Sequence, residues 1–254
     1  IILNSFKSFN KYYYYFLKEL VARKIDAFYN FNGRFATNRA ALRAAQKLGI
    51  HSHIHERGNN YKSYELYQNV LPHEILPFSK TAEKAWLDYP DADAKNHIAH
   101  SFYQDRVVGK EQGWISFIKD QKKGMLPENW DDSAENIVIF SSSEDEYVSI
   151  GEEWDLGVFE SQNALMLKLK NDPRLAHKKI WVRMHPNMQS MAKKYLDRTY
   201  ATLQGLEVIR PESPINSYDL INAASVIITF SSTVGIEATY WGKPSVLIGP
   251  AFYK

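Results

Sequence analysis

Short apolar runs alternate with more polar stretches along the second half of the chain, from about residue 134 onward. The runs are apolar throughout instead of alternating with polar residues, which is typical of parallel strands buried on both faces of a sheet. The intervening stretches are predicted to be helices. The predicted strands are 137–140, 180–184, 206–209, 226–229 and 245–248, and the predicted helices are 161–170, 189–203, 216–222 and 234–240.

The alternation of strand and helix predicts a Rossmann-like, doubly wound domain over residues 126–254. The first half, 1–125, carries the same signature less regularly. We expect strands at 25–29 and 50–55 around a helix at 35–48, mainly helix over 79–123 with a break near Tyr89-Pro90, and a hinge at 124–133. The predicted fold class is therefore α/β, with two Rossmann-like domains that face a central cleft.

Composition excludes several classes of protein. The 254 residues are 44% hydrophobic and 24% charged, which is ordinary for a globular chain and excludes overall disorder. The absence of cysteine excludes disulfides, thiolate zinc sites and cysteine nucleophiles. A net charge of +2 gives no bulk electrostatic reason to expect nucleic-acid binding.

The two ends of the chain and its tyrosine run bear on localisation and completeness. No stretch approaches the roughly 20 apolar residues that span a bilayer, and the run Tyr12–Tyr15 is interpreted as a helix face that packs on the core. The chain starts at Ile1 without a signal pattern and ends shortly after a predicted buried strand. We therefore expect a fragment of a longer protein, truncated at both ends.

The most informative motif follows the predicted strand 226–229, where Ser231-Ser232-Thr233 leads directly into a helix. Hydroxyls and free backbone N–H groups at a helix start favour an anion, so this turn is a candidate phosphate site. The alternative is that one of these residues only caps the helix. Glu237, one turn into that helix, is a candidate ligand of a ribose or sugar hydroxyl, or else a surface or capping residue.

Two further segments follow predicted strands. In Arg183-Met184-His185-Pro186, the proline ends the strand and presents His185 at the carboxyl edge of the sheet, where it can donate a hydrogen bond to a leaving phosphate. Arg183 is a candidate fixed positive charge beside it. The acidic residues 144–146 make Asp145 or Glu146 a candidate for acid–base work, although three adjacent acids are also typical of a solvated loop.

The first half adds candidate residues for the opposite wall of the cleft. Asn32 and Arg34 follow one strand and are predicted to lie on the acceptor side, and Glu56 follows the next. Glu56 is a candidate base for an acceptor hydroxyl, or a partner of a neighbouring arginine. His51, His53 and His55 would share one strand face. No matching carboxylate cluster accompanies them, and Asp91-Ala92-Asp93 lies in a helical region, so no metal site is predicted.

Together, these segments resemble the bacterial capsule and lipopolysaccharide glycosyltransferases of GT-B architecture, especially transferases of 3-deoxy-manno-octulosonic acid (Kdo). The resemblance covers about residues 25–248 and rests on NGR, HERG, SSSEDE, RMHP and SYDLINAASVIITFSSTVGIEATYWGKP. The His-Pro and Ser-Ser pair is also similar to the CMP-binding motifs of bacterial sialyltransferases. The resemblance implies that His185, Ser231 and Ser232 hold the donor phosphate. By the same resemblance, Glu237 contacts the nucleotide region, and Glu56 and Asp145 are the catalytic carboxylates.

The expected activity is transfer of a sugar from CMP-Kdo or a similar nucleotide-sugar donor to a growing surface polysaccharide, with no metal and no cofactor besides that substrate. The expected partners are the nucleotide-sugar and an oligosaccharide or glycolipid acceptor, and not nucleic acid. We expect a cytoplasmic protein, with association at the inner membrane or with an assembly complex left open. The alternatives are a teichoic-acid-like polyol-phosphate transferase, a nucleotide-sugar 2-epimerase, and a non-catalytic sugar-binding domain.

Overall fold

The computed structural model describes residues 2–58, 62–111, 116–143, 150–157 and 159–253. These residues form two compact units. The first contains residues 2–58, 62–88 and 150–153, and the second contains residues 89–111, 116–143, 154–157 and 159–253. No helix within the described ranges is both long and apolar enough to cross a membrane.

The second unit is built on a sheet of five parallel strands in the order β6-β5-β4-β7-β8. Every strand predicted in this unit is confirmed to within one residue at each end, because strands of a sheet covered on both faces form nearly continuous apolar runs. The strands are β4 (Asn136–Phe140), β5 (Lys179–Arg183), β6 (Glu207–Ile209), β7 (Val226–Phe230) and β8 (Ser245–Ile248).

Helices cover both faces of this sheet. Successive strand residues point to opposite faces, so Ile137 and Ile139 join one core cluster while Val138 and Phe140 join another. This layering confirms the predicted α/β, Rossmann-like fold. The helices of the second unit are α4 (Ala92–Val107), α5 (Gln162–Lys170), α6 (Lys193–Thr202), α7 (Ser217–Ala223) and α8 (Val234–Tyr240).

The segment before β4 differs from expectation. The helix expected to continue to 123 ends at Val107, because Gly109 adopts a positive φ of 73° and the Lys110 N–H bonds back to the Asp105 carbonyl (2.9 Å). The expected hinge at 124–133 packs on the second unit, where the rings of Trp130 and Trp181 stack with centroids 5.0 Å apart. The division between the units therefore does not fall at residue 125, and α4 belongs to the second unit.

The first unit contains a three-stranded sheet in the order β1-β2-β3, with β1 and β2 parallel and β3 antiparallel to β2. The antiparallel strand β3 was not anticipated. The tyrosine run lies in α1, where Tyr13 and Phe16 pack beside buried Leu20 against α2. The elements are α1 (Ile2–Ala22), β1 (Ala27–Phe31), α2 (Ala36–Lys47), β2 (His51–Arg57), β3 (Tyr64–Gln68) and α3 (Ile75–Asp88).

Candidate functional site

The strand order of the second unit defines one edge where a ligand crevice is expected. The chain runs from β4 outward to β5 and β6, then returns to the other side of β4 to form β7 and β8. In open parallel sheets, ligands bind beyond the carboxyl ends of the strands at such a reversal. The loops that leave β4 and β7 flank this point, and they carry Ser141–Ser143 and Ser231–Thr233.

The loop after β4 is held by a buried glutamine from the start of α5. Gln162 is 4% exposed; its Oε1 accepts the Ser142 backbone N–H (2.8 Å) and its Nε2 donates to the Ser142 carbonyl (3.1 Å). The Ser142 hydroxyl donates to the carbonyl of Phe230, the last residue of β7. These contacts tie the two loops of the crevice together. Sequence reasoning overlooked Ser142 and Gln162 because it gave weight to the acids that follow, although a serine run after a buried strand was a usable signal.

His185 lies directly after β5 and Met184, as the sequence predicts. Its backbone N–H donates to the Ser141 hydroxyl (3.0 Å), which links the β5 and β4 loops. Its Nδ1 accepts the backbone N–H of Asn187 (3.2 Å) and so caps the following 3-10 turn. Because Nδ1 is an acceptor, the proton of the neutral ring sits on Nε2, which can donate to an anion.

The turn after β7 is strained and incompletely bonded. Ser231 has a left-handed φ of 53°, a conformation that costs a non-glycine residue free energy and that concentrates at functional sites. Its Oγ is buried and has no hydrogen-bond partner among the described residues. The Ser232 Oγ accepts the Val234 N–H (3.3 Å), a bond within the turn, whereas Thr233, the N-cap residue of α8, makes no side-chain capping bond to the described residues. The Thr233 Oγ1 accepts from Arg106 (3.3 Å).

His185 and the serine turn share one sheet edge without touching. Strand β4 lies between β5 and β7, so the two loops start about 10 Å apart, which is two strand spacings. The hydrogen bonds of Ser141 and Ser142 bridge this distance. The structure therefore places His185, the β4 serines and the β7 turn along the same edge of the sheet.

Two predicted donor-site residues have protein partners instead. The Arg183 side chain lies on the Trp181 face of the sheet, where its guanidinium donates to the carbonyls of Arg210 (2.6 Å) and Ser213 (3.2 Å). Arg183 is 3% exposed, and burial lowers its pKa to about 10. Glu237, 2% exposed, forms an ion pair with Arg106 of α4.

The acceptor-side residues lie in the first unit. β1 and β2 are neighbouring parallel strands, and at their ends the Asn32 side-chain amide donates to Glu56 Oε2. Asn32 is buried with a φ of 57°, and its Oδ1 accepts the Arg34 N–H (3.2 Å). Glu56 is the penultimate residue of β2, and its Oε1 accepts the Arg57 N–H (2.9 Å). The structure thus pairs Asn32 with Glu56.

The remaining candidates are the acidic residues 144–146 and the histidines of β2. Asp145 and its acidic neighbours lie outside the described residues. The ring of His53 stacks on Tyr29 with centroids 4.7 Å apart, and the ring of His55 is 5.3 Å from that of Phe31. Within the described part of the chain, no three histidine or carboxylate groups are arranged to hold a metal ion.

Comparisons with known proteins identify a sequence family and similar solved structures. The sequence family described as "Capsule polysaccharide biosynthesis protein" matches residues 116–254, more than half of the chain. The Kdo 2,4 transferase KpsC of Thermosulfurimonas dismutans has a similar structure, with a TM-score of 0.56 and 17% identity over 90% of this chain and 70% of that one. The Kdo 2,7 transferase KpsC of the same organism gives a TM-score of 0.48 and 15% identity over 93% and 69%. A search of curated protein sequences finds no significant match.

Proposed function

Because this chain belongs to the capsule polysaccharide biosynthesis protein family, we propose that it is a glycosyltransferase that adds a sugar to a growing capsule polysaccharide. The proposed donor is a CMP-activated sugar, Kdo or a similar acid, and its phosphate binds beyond β4 and β7. The structural similarity to a KpsC Kdo transferase indicates that the two proteins share a fold.

The observation that carries this proposal is the serine-lined crevice at the reversal of strand order. The Ser231 Oγ is buried in a strained turn at this edge and, like the Thr229 Oγ1 of β7, has no hydrogen-bond partner among the residues that the structure describes. A bound phosphate oxygen would accept from it. The Ser142 loop, held by Gln162, supplies a second hydroxyl-bearing wall.

The chemistry follows from the charge that develops on the leaving group. Breaking the bond between the sugar and CMP leaves a phosphate monoester anion, and fixed donors aimed at this anion lower the barrier. His185 Nε2–H and the hydroxyls of Ser231 and Ser232 are the proposed donors. The acceptor hydroxyl must lose its proton to a base; Glu56 and Asp145 remain the predicted carboxylates for this step.

A thermal-shift screen with CMP, CDP, UDP and GDP tests the donor class, because a ligand that binds only the folded state adds about 2.7 kcal/mol at a concentration of 100 times its Kd. We expect CMP to raise the melting temperature and UDP and GDP to leave it unchanged. Stabilisation by CDP but not CMP would favour a polyol-phosphate transferase. If no nucleotide stabilises the protein, the proposed donor site is wrong. Release of CMP from CMP-Kdo with an acceptor glycan then separates an enzyme from a binding domain.

A further inference from the structure

Three side chains from three helices meet beside the Ser231–Thr233 turn. Arg106 of α4 places its Nη2 3.0 Å from Glu237 Oε1 of α8, and the Tyr218 hydroxyl of α7 donates to Glu237 Oε2. One carboxylate oxygen of Glu237 therefore accepts a hydrogen bond, and the other lies at ion-pair distance from Arg106, although no described residue hydrogen-bonds it. Since this residue is 2% exposed, its carboxylate does not reach a ligand without breaking these contacts.

Neighbouring groups in this cluster shift the pKa values of Arg106 and Tyr218. Burial alone would lower the pKa of Arg106, but the neighbouring Glu237 and Tyr218 raise it overall. Burial and the charge of Glu237 raise the pKa of Tyr218. At neutral pH Arg106 is therefore a guanidinium and Tyr218 a neutral phenol. Glu237 is the buried member of this pair, since the Arg106 side chain is 38% exposed, so removing Arg106 leaves Glu237 without its ion-pair partner.

Arg106 also contacts the Ser231–Thr233 turn. Arg106 Nη2 donates to Thr233 Oγ1 (3.3 Å), while the Thr233 carbonyl accepts the Glu237 backbone N–H (3.0 Å). Thr233 is thus held on one side by the Arg106 side chain and on the other by the backbone of α8. A planar guanidinium can bridge two acceptors in this way because its N–H groups form a rigid fork.

We propose that Arg106 and Glu237 are positioning residues that fix the Ser231–Thr233 turn, and that Glu237 acts on the donor only through Arg106 and this turn. The inference rests on the proposed function for its catalytic meaning. It assigns a role to Arg106, which lies 127 residues before Thr233 and carries no local motif. It also replaces the expected contact between Glu237 and the nucleotide with an indirect effect.

The test compares Glu237→Gln, Arg106→Gln and the double variant, with Arg174→Gln as control. Arg174 also pairs with a carboxylate, that of Asp172, but its side chain is 85% exposed in the turn that follows α5. The double variant leaves no buried charge without a partner, so it keeps the test usable if a single variant does not fold.

Hydrogen exchange in the nucleotide-free protein provides the first readout. We expect the amides of residues 231–235 to exchange at least about tenfold faster in the variants, with β4 unchanged, because local opening controls exchange. The control variant should match the wild type. Unchanged exchange at 231–235 in folded variants would overturn the inference, whether or not the protein binds a nucleotide.

Affinity for CMP provides the second readout, which a purely structural ion pair would not alter. We expect both single variants to weaken CMP binding to a similar extent, about 10- to 100-fold, since small misplacements of binding groups have effects of this size. The double variant should bind CMP no more weakly than either single variant, because the two residues act as one unit. If Glu237→Gln weakens binding while Arg106→Gln does not, Glu237 touches the nucleotide and the inference is wrong. If the wild type binds no nucleotide, the proposed function fails, and the exchange experiment still decides the positioning role.

Discussion

Ser231 offers a test in which stability and ligand binding should move in opposite directions. Its left-handed backbone costs about 1–2 kcal/mol for a residue with a Cβ, and its buried, unpartnered hydroxyl adds roughly another 1 kcal/mol. The Ser231→Gly variant removes both costs, at the expense of about 0.5–1 kcal/mol of glycine chain entropy. We therefore expect a net stabilisation of about 1–2 kcal/mol, or a rise in melting temperature of roughly 2–6 °C.

The same substitution should weaken binding of the donor nucleotide. A hydrogen bond to a charged group contributes about 1.5–3 kcal/mol, so the Kd for CMP should rise about 10- to 100-fold. Isothermal titration calorimetry measures the affinity, and differential scanning fluorimetry measures the stability. Ser231→Ala separates the two effects, because it loses the hydroxyl but keeps a Cβ in the left-handed conformation.

Lys24→Gly provides the matched control. Lys24 has a φ of 51° and is exposed in the first unit, after α1. Its replacement should relieve the same kind of strain and leave CMP binding unchanged. A Ser231→Gly protein that is more stable and binds CMP as tightly as the wild type would refute the reasoning, since the Ser231 hydroxyl would then make no contact with the ligand.

Three further substitutions test the neighbouring contacts. His185→Asn keeps a side-chain acceptor for the cap of the following turn, and it should lower transfer at least about 100-fold by loss of the Nε2–H donor; turnover near wild type would contradict this. Gln162→Leu leaves the Ser142 backbone N–H and carbonyl without their side-chain partners, so thermal unfolding should show a loss of about 2–4 kcal/mol; an unchanged melting temperature would exclude the clamp. In Gly235→Ala the new Cβ would lie 2.5 Å from the Tyr253 hydroxyl and 2.8 Å from Thr229 Oγ1, so denaturant titration should show a loss of about 1–3 kcal/mol, and a neutral result would mean that both side chains move aside.

The sequence was most informative where local pattern and burial coincide. The five strands of the second unit are visible because strands of a sheet covered on both faces form nearly continuous apolar runs. His185 and Ser231 could be placed at strand ends for the same reason, since each follows directly on such a run. By contrast, β3 lies at the edge of a small sheet with four of its five residues exposed, and it gave no comparable signal.

The chain by itself also determined the family, through motifs that each occupy a few consecutive residues. The tertiary structure alone decided which strands are neighbours, and so which loops flank the crevice. Arg183 and Glu237 both lie at positions where the sequence predicts donor contacts. The tertiary structure alone decided that Arg183 points to the carbonyl of Arg210 and Glu237 to the guanidinium of Arg106. Those partners come from distant parts of the chain. The pattern of apolar residues fixes where a strand or helix lies, whereas the partner of a buried charge depends on which distant segment packs against it.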